Sequence, residues 1–212
     1  MQSSIVHICK SLFLIWTAAS LLAVIPASAE PLRVDINAEN RADMRTVGWE
    51  NWRPTEGDWS QSFGVVTVTL RAGGNGGSIR LAGNKSLIVH GVTVGADGAV
   101  ATGEKPAVME IRFEGLTPGS HTFVGYHHAL GGADGTYSLS MGDGRVEGIQ
   151  TSREPRHNDD VGTSFIEFQT VDGRPIVIRI AATSGDCVIL NGFALDATDP
   201  RKKALKPVPA HC

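Results

Sequence analysis

The chain has 212 residues, with 19 Lys and Arg against 22 Asp and Glu and a formal net charge of −3. That balance excludes the basic face that nucleic-acid binding needs. The length suits one domain with a full core and is short for two.

The first residues are not expected to belong to the fold. Lys10 precedes an apolar run at 11–25, and Ala27-Ser28-Ala29 closes it with a small-x-small pattern. This is the pattern of a secretory signal peptide cut after Ala29. The run is too short and too abruptly ended for a membrane span, and no second apolar run follows, so no transmembrane segment is expected after cleavage. The chain therefore divides into a signal peptide at 1–29, a single domain at 30–198 and a tail at 199–212, with a secreted or periplasmic destination. Cys187 and Cys212 survive cleavage. In an oxidising compartment they are expected to form one bridge that clips the tail onto the domain.

From residue 32 onward the hydrophobic period is two. LRVDIN at 32–37, GVVTVTL at 64–70, VMEIRF at 108–113 and HTFVGYHH at 121–128 alternate or read as extended. So do TYSLSM at 136–141, FIEFQ at 165–169, IVIRI at 176–180 and VILNGFAL at 188–195. Gly-rich turns separate them at 73–77, 96–98, 142–144 and 172–173. Thr117-Pro118-Gly119 has the composition of a type II turn. Residues 38–44 have room for one helical turn, and no window is convincingly amphipathic at a helical period. Roughly ten short strands with turn signals between them predict an all-β fold, an antiparallel two-sheet β-sandwich.

Two segments carry a family resemblance. IRFEGLTPGSHTF at 111–123 followed by GYHH at 125–128 resembles a segment of malectin-like and galactose-binding-like β-sandwich modules. VILNGFAL at 188–195 is similar to their closing strand, and VDIN at 34–37 with Gly48-Trp49 to their opening. The resemblance spans about residues 32–196. It implies a jelly-roll sandwich that binds carbohydrate, often with a structural calcium. Hard oxygens at Asp35, Asn37, Glu39 and Asp196, where the first and last strands are expected to meet, are the candidate Ca²⁺ ligands.

The residues themselves suggest three sets of ligand contacts. Tyr126 and His128 share one face of their strand, and alternation puts His127 on the other. Trp49, Trp52 and Trp59 lie in one long loop, and tryptophan faces stack on pyranose rings. The stretch SREPRHNDD at 152–160 gathers Arg153, Arg156, His157 and Asp160, and its guanidiniums suit a carboxylate. These residues predict a carbohydrate-binding module. An alternative is a small polysaccharide lyase acting on a uronate-containing glycan. There Arg153 or Arg156 would neutralise the carboxylate, His127 or His157 would abstract the α-proton, and Tyr137 or Tyr126 would protonate the leaving oxygen. A second alternative is an envelope adhesion module. No nucleophile elbow, P-loop or dinucleotide fingerprint appears.

Overall fold

The computed structural model describes residues 30–171 and 173–202. The expected signal peptide and Cys212 lie outside the described residues, and with Cys212 the expected bridge. Fourteen strands form three sheets among the described residues. The strands are β1 (Leu32–Ile36), β2 (Glu50–Trp52), β3 (Ser60–Phe63), β4 (Val66–Gly73), β5 (Ser78–Gly83), β6 (Asp97–Thr102) and β7 (Val108–Glu114). They continue as β8 (Gly119–His127), β9 (Thr136–Met141), β10 (Gly144–Gln150), β11 (Gly162–Thr170), β12 (Ile176–Ser184), β13 (Cys187–Leu190) and β14 (Gly192–Leu195). One sheet runs β11-β8-β14-β1-β2, a second β10-β9-β12-β7-β4-β3, and a third, smaller one β13-β6-β5. Every pair is antiparallel except β1 with β2. The protein is an all-β sandwich.

Alternation explains which face each strand buries. On β7, Met109, Ile111 and Phe113 enter the core while Glu110, Arg112 and Glu114 alternate with them. Ile178 and Ile180 of β12 do the same. The centre is aromatic: Phe113, Phe123 and Phe193 have ring centroids 5.8–6.2 Å apart, and Trp52 meets Phe193 edge-on at 6.5 Å. Each such ring contributes about 1.5–3 kcal/mol through apolar burial. Glu110 lies under the guanidiniums of Arg71 and Arg179, so its carboxylate is paired where it is nearly buried.

Two expectations about local structure are corrected. Residues 188–195 alternate as one strand, but the chain breaks at Asn191 into β13 and β14, which belong to different sheets. Asn191 compensates with its own groups. Its Oδ1 accepts from the His128 N–H at 2.6 Å, and its Nδ2 donates to the Asp97 carbonyl at 2.9 Å. Its backbone N–H donates to the Tyr126 carbonyl and its carbonyl accepts from Ile36. Of Ala96-Asp97-Gly98, expected as a turn, Ala96 closes one, but Asp97 and Gly98 open β6. Gly98 is needed there because a Cβ would lie 2.6 Å from the Asn191 Cα and from the Leu190 carbonyl oxygen. Gly98→Ala is expected to cost about 1–3 kcal/mol in urea denaturation, the range for overpacking a tight interior. The helical turn expected at 38–44 is present as a single 3-10 turn, Ala42–Met44.

Candidate functional site

The strongest gathering of chemically active groups lies at one end of the sandwich, between β5–β6 and β10–β11. After β10 the chain runs through residues 151–161 and turns once at Asn158–Asp160 before entering β11. Asp160 holds that turn: its Oδ2 accepts from the backbone N–H of Arg156 at 3.1 Å and of His157 at 3.0 Å. Asp160 thus shapes the loop through the backbone N–H groups of Arg156 and His157.

The loop is stitched to its neighbours by Asn158. Its Oδ1 accepts from the Val94 N–H at 3.1 Å, and its Nδ2 donates to Thr93 Oγ1 at 3.3 Å. Thr93 Oγ1 in turn lies 2.9 Å from Thr46 Oγ1. Beneath these bonds sits a small second core of Met44, Leu87, Val92, Val94, Ala96 and Val161, with Trp49, Ile88 and Tyr126 packed against it. Asn158→Ala should therefore lower stability by about 1–2 kcal/mol and loosen the loop, read as faster amide exchange at Val94.

Above this small core opens a cleft of about 610 Å³ lined by Asn84, Leu87, His90, Arg153, Glu154, Pro155, Arg156 and His157. The side chains of His90, Arg153, Arg156 and His157 are exposed around it. Arg153 makes an ion pair with Asp134. Arg156 makes no ion pair among the described residues. Leu87 supplies an apolar floor and belongs to the small core below. Two guanidiniums and two imidazoles around one concave surface suit an anionic, hydroxylated ligand. His90 was not anticipated because it closes an apolar run, SLIVH, that reads as buried; the 3-10 turn Lys85–His90 swings it out.

The tryptophans separate. Trp52 is 1% exposed in the main core and presents no face to a ligand, which corrects its expected role. Trp59 is half-buried against that core. Trp49 is half-buried and meets Tyr126 edge-on at 5.0 Å. Tyr126 also borders a smaller cavity of about 360 Å³ with Asn158, Asp159, Thr163, Pro200 and Arg201, on the other side of the 151–161 loop.

His127 ends β8 and His128 follows it, and both are buried, which corrects the ligand contact expected of His128. His128 is buried, with Nδ1 3.0 Å from Ser152 Oγ and burial lowering its pKa. His127 is 0% exposed between the sheets, against Tyr137, also 0% exposed, with ring centroids 5.4 Å apart. Its Nδ1 donates to the Ile189 carbonyl at 2.7 Å, and its Nε2 accepts from Ser164 Oγ at 3.0 Å. Burial pushes His127 down to about 4, and the Tyr137 hydroxyl upward. Tyr137 Oη accepts from the Ile189 N–H at 3.2 Å. These two residues together satisfy the N–H and the carbonyl of Ile189 in β13, so His127 and Tyr137, expected as base and acid of a lyase, are structural. Of the residues expected in a lyase, Arg153, Arg156 and His157 reach the cleft.

The expected calcium ligands also separate. β1 and β14 pair antiparallel with Asp35 opposite Gly192 and Leu32 opposite Leu195, so Asp196 lies beyond the far end of β1 from Asp35. That is roughly 13 Å along the strands. Asp196 instead accepts from His121 Nδ1 at 2.9 Å. Asp35 and Asn37 share one face with Asp97, whose Oδ2 accepts from the Ala38 N–H at 2.6 Å. Burial pushes Asp35 up to about 6, and burial with the charge of Asp35 pushes Asp97 up to about 7. The Glu39 backbone N–H also faces Asp97.

No family model matches the chain, and no curated protein does. Among solved structures it is similar to a CBM35 of Cellvibrio japonicus Abf62, at 16% identity over 44% of this chain and 67% of that one, with a TM-score of 0.32. A native family 35 carbohydrate-binding module from Clostridium thermocellum overlaps at 12% identity, 62% and 92% coverage, and TM-score 0.37. TmCBM61 in complex with β-1,4-galactotriose overlaps at 13%, 59% and 86%, and 0.36. Scores this low assign no family. No helix among the described residues is long and apolar enough to cross a membrane.

Proposed function

We propose that the protein is a secreted or periplasmic glycan-binding module whose ligand carries a carboxylate, held in the cleft between the 84–90 turn and the 153–157 loop. The observation that carries this reading is the cleft's lining, where His90, Arg153, Arg156 and His157 surround the apolar floor of Leu87. A pyranose offers C–H surface to the floor and hydroxyls to the imidazoles, and a uronate adds the anion that a guanidinium fork grips in two places. Arg156 is the principal anchor in this reading, because Arg153 already holds Asp134. The burial of His127 and Tyr137 favours retention of the glycan over its cleavage.

The test is affinity electrophoresis through gels containing an acidic or a neutral polysaccharide. Retardation is expected in polyuronate gels and not in neutral glucan gels. Equal mobility in all gels would refute the proposal, and release of an unsaturated product would replace binding with turnover.

A further inference from the structure

Beside the glycan cleft lies a second hollow, of about 300 Å³, and Arg153 lines both. Its other walls come from the ends of three adjacent strands. Gln150 of β10 stands opposite Thr136 of β9, and Thr136 stands opposite Ser184 of β12. Residues paired in register share a face of the sheet, so the three form one polar row. Asp134, ion-paired with Arg153, completes the lining together with Gly135 and Thr151.

The row has hydrogen-bonding groups to spare. Gln150 is exposed, and no hydrogen bond among the described residues uses its amide or the Thr136 hydroxyl. Ser184 Oγ accepts from the Thr136 N–H at 3.1 Å and keeps its own proton to donate. The strip that joins hollow to cleft is tied down. The Thr151 N–H donates to the Gly135 carbonyl at 3.2 Å, and the Ser152 N–H to the His127 carbonyl at 3.0 Å. Ser152 Oγ lies 3.0 Å from Nδ1 of the buried His128. Arg153 follows directly, so its place on the boundary between the two hollows is set by its neighbours' bonds to the sheet.

We infer that this hollow is a second sugar subsite, and that the ligand is a heteroglycan in which a neutral sugar is linked to the uronate. The inference rests on the uronate reading of the cleft and adds what stands next to the uronate. An amide and two hydroxyls in a row suit the hydroxyl groups of a neutral ring, which donate and accept in turn. The only charged groups that line the hollow are Arg153 and Asp134, and they are paired with each other. A carboxylate placed there would meet the Asp134 carboxylate and find no cation of its own. The hollow therefore selects a neutral neighbour by fit and rejects a second uronate by repulsion. A homopolyuronate gains from the cleft alone.

Calorimetric titration with three probes separates the subsite from the cleft: methyl glucuronoside, a trisaccharide with glucuronate between neutral hexoses, and a tri-glucuronate. The flanked trisaccharide offers the hollow a neutral sugar in either chain direction. It is expected to bind about 5- to 20-fold tighter than methyl glucuronoside, which is what two or three added hydrogen bonds supply. Tri-glucuronate should stay within about threefold of the monosaccharide, the advantage of presenting several equivalent residues. Gln150→Ala and Thr136→Val should each bring the flanked trisaccharide toward the monosaccharide's affinity and leave methyl glucuronoside unchanged. Equal affinity of the native chain for methyl glucuronoside and the flanked trisaccharide would overturn the subsite and leave the cleft standing. So would a gain that both variants keep, and a gain as large for tri-glucuronate would overturn the neutral partner. No binding of any probe would overturn cleft and subsite together.

Discussion

His127→Leu is expected to destabilise the protein by about 2–5 kcal/mol in urea denaturation and to leave glycan affinity of the folded fraction unchanged. The size follows from what the imidazole holds. Leucine fills similar space but leaves the Ile189 carbonyl and the Ser164 hydroxyl unpaired in the interior, at about 1–3 kcal/mol each. A pH series adds a signature that packing alone cannot give. Burial lowers the pKa of the folded ring to about 4 from an ordinary 6.5, so between these values the unfolded chain binds a proton that the folded chain refuses. This contribution to stability is present above pH 6.5 and is lost as pH falls toward 4. Over that window it amounts to roughly 3 kcal/mol. His127→Gln lacks the titration. The native chain's advantage over that variant should therefore shrink as pH falls, whereas Asp35 and Asp97 titrate in both and cancel. Parallel stability curves would show that the ring is already charged in the fold. The packed surroundings argue against that: the ring is fully buried against Tyr137.

Arg156→Ala should weaken binding of a uronate oligosaccharide by about 10- to 100-fold with little change in stability. One charge-assisted, bidentate contact accounts for that loss, and an exposed side chain without an ion pair among the described residues contributes little to folding. Arg156→Lys should recover part of the affinity, because lysine keeps the charge but not the planar fork. Arg153→Ala should have a smaller effect and should also release Asp134. A loss of stability in Arg156→Ala would mean that the loop had collapsed, and the Arg156→Lys variant separates that case.

The sandwich was legible where strands are long and alternate, as in 108–113 and 176–180, because period two survives any context. It was not legible at β6, where Asp-Gly reads as turn chemistry and the following residues are small. Nor was the break at Asn191 readable, because the alternation of 188–195 continues through it and only tertiary hydrogen bonds mark it. The three tryptophans show why composition cannot separate a binding platform from a core plug. Trp52 and Trp49 sit three residues apart, yet Trp52 points into the aromatic core while Trp49 packs beside Tyr126. The charged loop at 152–160 was readable as a candidate site, but its partner across the cleft, His90, was hidden in an apolar run. Asp97 was hidden in the same way, since nothing local distinguishes a turn aspartate from one buried against a distant strand.

The central claim, a cleft that grips a carboxylate-bearing glycan through Arg156, is tested most directly by calorimetric titration with an oligouronate and with its methyl ester. The two ligands share a backbone and differ in charge. Saturable binding of the acid, weakened by about tenfold or more in the ester and in Arg156→Ala, is the expected result. Equal affinity for acid and ester, or no heat from either, would contradict it.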